Sequence, residues 1–202
     1  STWNGGKGFK PLASTGTGFN GTILGNGNII QNLTVDRNSS EVGLISDLDS
    51  GGRVHQLGLT NVNVSGGDWA GGLAAVSEGR ITQAYTEGLI NGSNYTGGLV
   101  GTNQVGEIVN SYSTAKVESD SNYAGGLVGL NNGGNISQSY STGEVNGSNF
   151  TGGFTGLNAD GEKVKNNYWD TKSSGLESSE GARGLTTSEM QGETSICEMN
   201  GF

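Results

Sequence analysis

One short segment returns along this chain at a nearly fixed interval, and that recurrence limits the fold more than any other feature. Trp69-Ala70-Gly71-Gly72-Leu73, Tyr95-Thr96-Gly97-Gly98-Leu99, Tyr123-Ala124-Gly125-Gly126-Leu127 and Phe150-Thr151-Gly152-Gly153-Phe154 align residue for residue. Their second glycines, Gly72, Gly98, Gly126 and Gly153, are 26, 28 and 27 positions apart. Val42-Gly43-Leu44 is a weaker, earlier copy. A second landmark keeps the same step: Ile81-Thr82-Gln83-Ala84-Tyr85, Ile108-Val109-Asn110-Ser111-Tyr112, Ile136-Ser137-Gln138-Ser139-Tyr140 and Val164-Lys165-Asn166-Asn167-Tyr168, with degenerate forms at Ile30 and Val54. Self-similarity at this period marks stacked repeats, none of which buries its apolar side alone.

Each copy reads as strand. Residues alternate with period two between Gly and Asn punctuation, as in Gly106-Glu107-Ile108-Val109-Asn110-Ser111-Tyr112. The expected fold is therefore all-β: a parallel β-helix of five to six coils, about 27 residues each, with three sides and a right-handed winding. Coils would follow one another at about 4.8 Å, the spacing of paired strands. The division expected is an N-terminal cap with a first irregular coil over 1–40, repeats over 41–169 and a C-terminal cap over 170–202.

Stacking turns equivalent positions into columns. Leu44, Leu73, Leu99, Leu127 and Phe154 form one apolar column, and Val54, Ile81, Ile108, Ile136 and Val164 another. Asn32, Gln56, Gln83, Asn110, Gln138 and Asn166 are always amides and are expected to run as an interior hydrogen-bonded ladder. Trp69, Tyr95, Tyr123 and Phe150 form an aromatic column; Tyr85, Tyr112, Tyr140 and Tyr168 form a second. The glycine pairs precede a strand where the chain turns, and positive φ is the expected reason for them.

Composition agrees with a thin core wrapped by many turns. There are 39 Gly and one Pro, hydrophobic residues make up 31% and charged residues 14%, which fits neither collagen nor a charged disordered chain. The net charge of −9 argues against nucleic acid and anionic membrane as partners. Cys197 is the single cysteine, so no internal disulfide can form. No segment is apolar and long enough to span a bilayer. The opening Ser1-Thr2-Trp3-Asn4 carries no signal peptide and is expected to lie inside a longer protein, so it says nothing of compartment.

The stretches Gly98-Leu99-Val100-Gly101 and Gly126-Leu127-Val128-Gly129, each followed by an Ile–Asn/Gln–Tyr strand, resemble the GLUG repeat. Ser46 and Ala75 replace the last glycine in the early copies, and Phe154-Thr155-Gly156 alters the final one. The resemblance implies a segment of a large bacterial or archaeal surface protein of the filamentous-haemagglutinin-like adhesin kind, or an accessory segment beside the catalytic domain of an IgA1-specific metallopeptidase. It brings no catalytic residues and no cofactor. The localisation it implies is secreted or cell-surface. The implied partners are a protein or glycan of a host or neighbouring cell, together with other domains of the same chain.

Residue chemistry points the same way. His55, the one histidine, follows Val54 and should face outward. There is no His-Glu-x-x-His zinc helix, no Gly-x-Ser-x-Gly elbow and no phosphate loop. The carboxylates are scattered; Asp47 and Asp49 are the pair closest to a calcium site but lack the Gly-Gly-x-Gly-x-Asp pattern. Asn-x-Ser/Thr triplets, among them those at Asn32, Asn38, Asn63, Asn91, Asn94, Asn135, Asn146 and Asn149, arise readily in so Asn- and Ser-rich a chain. Thr60, Thr114 and Thr142 sketch an ice- or carbohydrate-binding ladder that Glu87 interrupts. In the tail, Ser188 and Gln191 are spaced for a helix capping box.

Overall fold

The computed structural model describes residues 3–191. Among them the chain winds as a parallel β-solenoid whose strands fall into four sheets of six, ten, five and five strands. The first sheet holds Thr22–Leu24, Arg53–His55, Arg80–Thr82, Glu107–Val109, Asn135–Ser137 and Val164–Lys165. The second, the longest, runs from Ile29–Gln31 through Gly58–Ser65, Tyr85–Gly92, Tyr112–Ser113 and Tyr140–Ser141 to Tyr168–Asp170 and Arg183–Leu185. The third holds Glu41–Val42, Trp69–Gly71, Tyr95–Gly97, Asn122–Gly125 and Asn149–Gly152; the fourth holds Ile45–Leu48, Ala74–Ser77, Val100–Asn103, Val128–Asn131 and Thr155–Asn158. The coil thus crosses four sheets where three sides were expected, with the glycine pair at the bend between the third and the fourth.

Register follows the sequence columns. Val54 pairs with Ile81, Ile81 with Ile108, Ile108 with Ile136 and Ile136 with Val164, while Trp69 pairs with Tyr95 and Tyr112 with Tyr140. The interior is an apolar spine, with Val117, Ala124 and Val145 forming a small separate cluster beside it. Leu73, Leu99, Leu127 and Phe154 are fully buried, as are Ile81, Ile108 and Ile136. Each such side chain contributes about 1.5–3 kcal/mol by leaving water, and it does so only because another coil covers it.

The glycine pairs work by closeness rather than by φ. None of Gly72, Gly98, Gly126 and Gly153 lies in the left-handed region. A Cβ on Gly72 would come 2.8 Å from the Gly98 carbonyl oxygen, and one on Gly98 would strike the Gly126 carbonyl oxygen and the Ser113 hydroxyl. At the last coil Gly153 faces Trp169 in the same way. Backbone of one coil presses on backbone of the next with no room for a methyl group.

Both ends are dressed by chain that leaves the repeat. Thr22–Asp36 already supplies strands to the first two sheets, so stacking begins there, and residues before it lie over the fourth sheet through bridges from Leu12 to Ile45 and Phe19 to Leu48. At the other end Ser179 Oγ accepts from the Phe154 N–H at 2.8 Å and the Thr155 N–H at 3.2 Å, and Glu180 Oε2 accepts from Asn158 N–H at 2.6 Å. Side chains of the tail therefore satisfy donors that a further coil would have taken. A short helix, Thr187–Gln191, follows. Its capping box is Thr186 with Glu189, not Ser188 with Gln191: Glu189 Oε2 accepts from Thr186 N–H at 2.7 Å, and Thr186 Oγ1 accepts from Glu189 N–H at 3.3 Å. The helix starts two residues earlier than the sequence reading placed it. Cys197 lies outside the described residues.

Gly98→Val forces a side chain into the Gly126 carbonyl, whereas Val100→Ala only opens a small core void worth about 2 kcal/mol. Thermal melts of the two variants should show loss of cooperative unfolding for the first and a modestly lowered Tm for the second.

Candidate functional surface

The residues that line the long sides of the solenoid stand in columns, and their chemistry repeats every coil. The amide column of the sequence reading is placed differently from expectation. Asn32, Gln56, Gln83, Asn110, Gln138 and Asn166 all sit at φ between 50° and 58°, at the bend after the first sheet. Asn110, Gln83, Gln56, Asn32 and Asn166 are exposed and Gln138 is half-buried, so no interior ladder is built there. Asn tolerates the left-handed conformation better than most residues, and the column marks a corner.

The true interior ladder is Asn103, Asn131 and Asn158. Asn103 Nδ2 donates to Asn131 Oδ1 at 2.9 Å, and Asn131 Nδ2 donates to Asn158 Oδ1 at 2.8 Å. The Asn131 amide also donates to the Gly134 carbonyl at 2.9 Å, pinning the turn that leaves the fourth sheet. A second ladder runs outside: Asn94 donates to Asp68 Oδ1 at 3.1 Å, Asn122 to Asn94 at 3.3 Å and Asn149 to Asn122 at 3.1 Å. The sequence reading missed both. Their signal was present as an Asn four places after the repeat Leu (Phe in the last copy) and another Asn just before the repeat aromatic. Asn94 and Asn149, each opening an Asn-x-Thr triplet, are engaged in this outer ladder.

Beside the outer ladder stand the rings. Trp69, Tyr95, Tyr123 and Phe150 stack with centroids 5.6, 4.9 and 5.0 Å apart and planes within 9°. Tyr85, Tyr112 and Tyr140 stack on the second sheet at 4.8 Å and 4.8 Å. Tyr168 continues that column in register and is buried. Phe150 and Tyr123 reach their positions with φ of 46° and 50°, and Phe150 remains 53% exposed.

Ionisable groups are spread along the surface. His55 Nδ1 lies 2.7 Å from Thr82 Oγ1 on the next coil, outside the core. Arg80 pairs with Glu107 at 3.2 Å, and Lys116 sits between Glu118 at 3.0 Å and Glu144 at 3.5 Å. Near the N-terminal end, burial and the neighbouring Glu78 and Asp49 carboxylates raise the Asp47 pKa, and burial with Asp47 beside it raises that of Glu41. Among the described residues no three His, Cys, Asp or Glu side chains gather as a metal site. Glu87 and Thr114 are exposed and Thr60 and Thr142 half-buried on the second sheet, so the Thr column is neither uniform nor flat. No helix among the described residues is long and apolar enough to cross a membrane.

Comparison with known proteins agrees with this architecture. The GLUG motif matches residues 92–118 and 120–146, each one full coil. Halomucin of Haloquadratum walsbyi is 41% identical over 116 residues, which is 56% of this chain and 1% of halomucin. A crystal structure of a Bacteroides ovatus protein, named as a candidate immunoglobulin A1 protease, superposes with a TM-score of 0.63 at 25% identity, over 72% of this chain and 50% of that one. The chain therefore spans a small fraction of the first relative and half of the second.

Two outcomes follow from these columns. Asn131→Ala removes the middle of the interior ladder and leaves buried amide groups unpaired, a loss of about 1–3 kcal/mol in denaturant unfolding, while Asn110→Gly, at a left-handed corner, should be close to neutral. Asp47→Asn should stabilise at neutral pH. The folded carboxyl has a raised pKa, so its ionised form opposes folding; that opposition is full above the folded pKa and gone below the unfolded one. The gain over wild type should therefore vanish in acid, as pH-dependent melts would show.

Proposed function

We propose that this chain, which carries GLUG motifs, is a non-catalytic rod segment of a large cell-surface protein. It holds other parts of its parent chain at a distance and offers its sides to a partner outside the cell, a protein or glycan of a host or neighbouring cell. The supporting observation is the unbroken register. The first sheet passes from Thr22–Leu24 to Val164–Lys165 as one ladder of six parallel strands in sequence order. Six strands at the usual spacing make a rod about 25 Å long. Such a body stiffens a long extracellular chain without disulfides, which Cys197 alone could not form. The likeness to a stretch of halomucin supports a surface location.

A second reading has its own observation. The Bacteroides protein shares the solenoid and is named for an immunoglobulin A1 protease, so the same rod could serve as an accessory segment in a large secreted enzyme, positioning a catalytic domain that lies elsewhere in the parent chain.

Antibodies against the chain should label intact, unpermeabilised cells that carry the parent gene, and external protease should remove the label. Staining that emerges only after permeabilisation would overturn the surface assignment. If the parent cleaves immunoglobulin A1 and loses rate when residues 22–170 are deleted, the accessory reading takes precedence.

A further inference from the structure

The tyrosines of the second sheet are placed for a reaction that single, isolated tyrosines do not undergo efficiently. Tyr85, Tyr112 and Tyr140 belong to successive coils, and their strands pair in register. The first two ring planes are parallel to 0° and the second two to 5°, and both centroid distances are 4.8 Å. Neighbouring rings are thus related by an almost pure shift along the solenoid axis. The ring carbon ortho to each hydroxyl then stands beside its own counterpart on the next ring, at the stack spacing. All three residues are half-buried, so each keeps part of its surface in reach of solvent. The ring of Tyr85 lies over Gly58, whose missing side chain makes room for it.

We propose that this column is a site of oxidative cross-linking, with Tyr112 joined through an ortho–ortho carbon bond to Tyr85 or Tyr140. The co-reactant is a peroxide acting through a haem peroxidase, or another one-electron oxidant outside the cell. Each of two phenols gives up one electron to the oxidant and one proton to solvent. The two phenoxyl radicals couple at their ortho carbons, and the ortho hydrogens move to the oxygens to restore both aromatic rings. The product has lost two hydrogens in all, and the peroxide is reduced to two molecules of water. The column holds both partners one stack spacing apart before oxidation, so coupling within one chain outruns encounter between chains.

The consequence is mechanical. The link from Tyr85 to Tyr112 closes a segment of 27 residues and that from Tyr112 to Tyr140 one of 28. Tying coils together in this way limits the unfolded chain much as a disulfide would. The chain has no disulfide to do so.

The test treats the purified chain with horseradish peroxidase and hydrogen peroxide. Expected results are blue dityrosine fluorescence whose yield per chain does not fall on dilution, a monomer mass lower by two hydrogens, a raised Tm, and a cross-linked peptide pair containing Tyr112. Tyr95→Phe removes the Tyr95–Tyr123 pair of the other aromatic column, whose rings stack at 4.9 Å; in that background Tyr112→Phe keeps the ring stack and the fold but should sharply lower the dityrosine yield of the monomer. Absence of dityrosine in the monomer, a product found only between chains, or a yield that Tyr112→Phe leaves unchanged would each overturn the proposal. Circular dichroism of Tyr112→Phe confirms that the readout concerns a folded protein.

Discussion

The structure depends on parallel backbone pairing between coils in which strand residues stand beside their own equivalents, with one bulge between Thr86 and Gly88. Ile81 meets Ile108, Tyr112 meets Tyr140, and Val100 meets Val128. The hydrogen bonds alone would allow a slip of the register, but a shift by one residue would turn every inward side chain out. The apolar spine therefore sets the register, and the register in turn brings like groups together along each side. Rings stack because backbones pair, and the amide ladders form for the same reason. Each adds its own increment, about 0.5–1.5 kcal/mol for a ring pair, and each would be lost if the register moved.

The glycine pairs show how tightly the coils are drawn together. Positive φ is the usual reason to find glycine before a bend, and it was the reason the sequence suggested. The backbone at Gly98 is not left-handed; the glycine is there because the Gly126 carbonyl occupies the space a Cβ would need. Left-handed backbone is found instead at Asn110 and its Asn and Gln equivalents, whose amide side chains bond well enough to be mistaken for a ladder. Sequence periodicity locates columns reliably because it needs only a constant interval. It does not say which way a column faces at a corner, where alternation breaks. The apolar columns and both aromatic stacks keep a constant interval and a constant residue class, and were legible. The Asn103–Asn131–Asn158 ladder lies at a strand end, just before a turn, and was not. The fourth sheet escaped notice for the same reason, since a bend made of two glycines looks in the sequence like one punctuation mark.

How the stack ends is also a matter of volume. The column facing the glycine pairs runs through Thr86, Ser113 and Ser141 to Trp169. In the middle coils a small hydroxyl side chain fills the gap, and Ser141 Oγ donates to the Gly153 carbonyl at 2.5 Å. In the last coil an indole lies against Gly153 and closes the core with its breadth, 2% exposed. Just beyond it Asp170 turns the chain away, its Oδ1 accepting from Lys172 N–H at 2.8 Å and Ser173 N–H at 3.2 Å. The tail then supplies Ser179 and Glu180 to the open edge. A repeat that replaced Trp169 with Ser would present an unfilled core to solvent, so the departure from the pattern at this position is itself the stop signal.

Same-on-same stacking also explains the composition. A group placed beside its copy must be content with its copy. Leucine, tyrosine and asparagine are, the last because an amide carries both a donor and an acceptor. A carboxylate or a cation is not. Where the columns do carry charge, opposite charges offset like ones: Arg80 stands beside Arg53 on one side but pairs with Glu107 on the other, and Lys116 takes both Glu118 and Glu144. Where carboxylates gather, as at Asp47, Asp49 and Glu78, the pKa of Asp47 rises in answer. The charged fraction of 14% is thus a product of the architecture rather than of a binding task. What the architecture leaves free to vary is the outer face of each coil, and there the repeat has kept rings and amides in line, groups that stiffen the rod and at the same time give it a surface of regular chemistry.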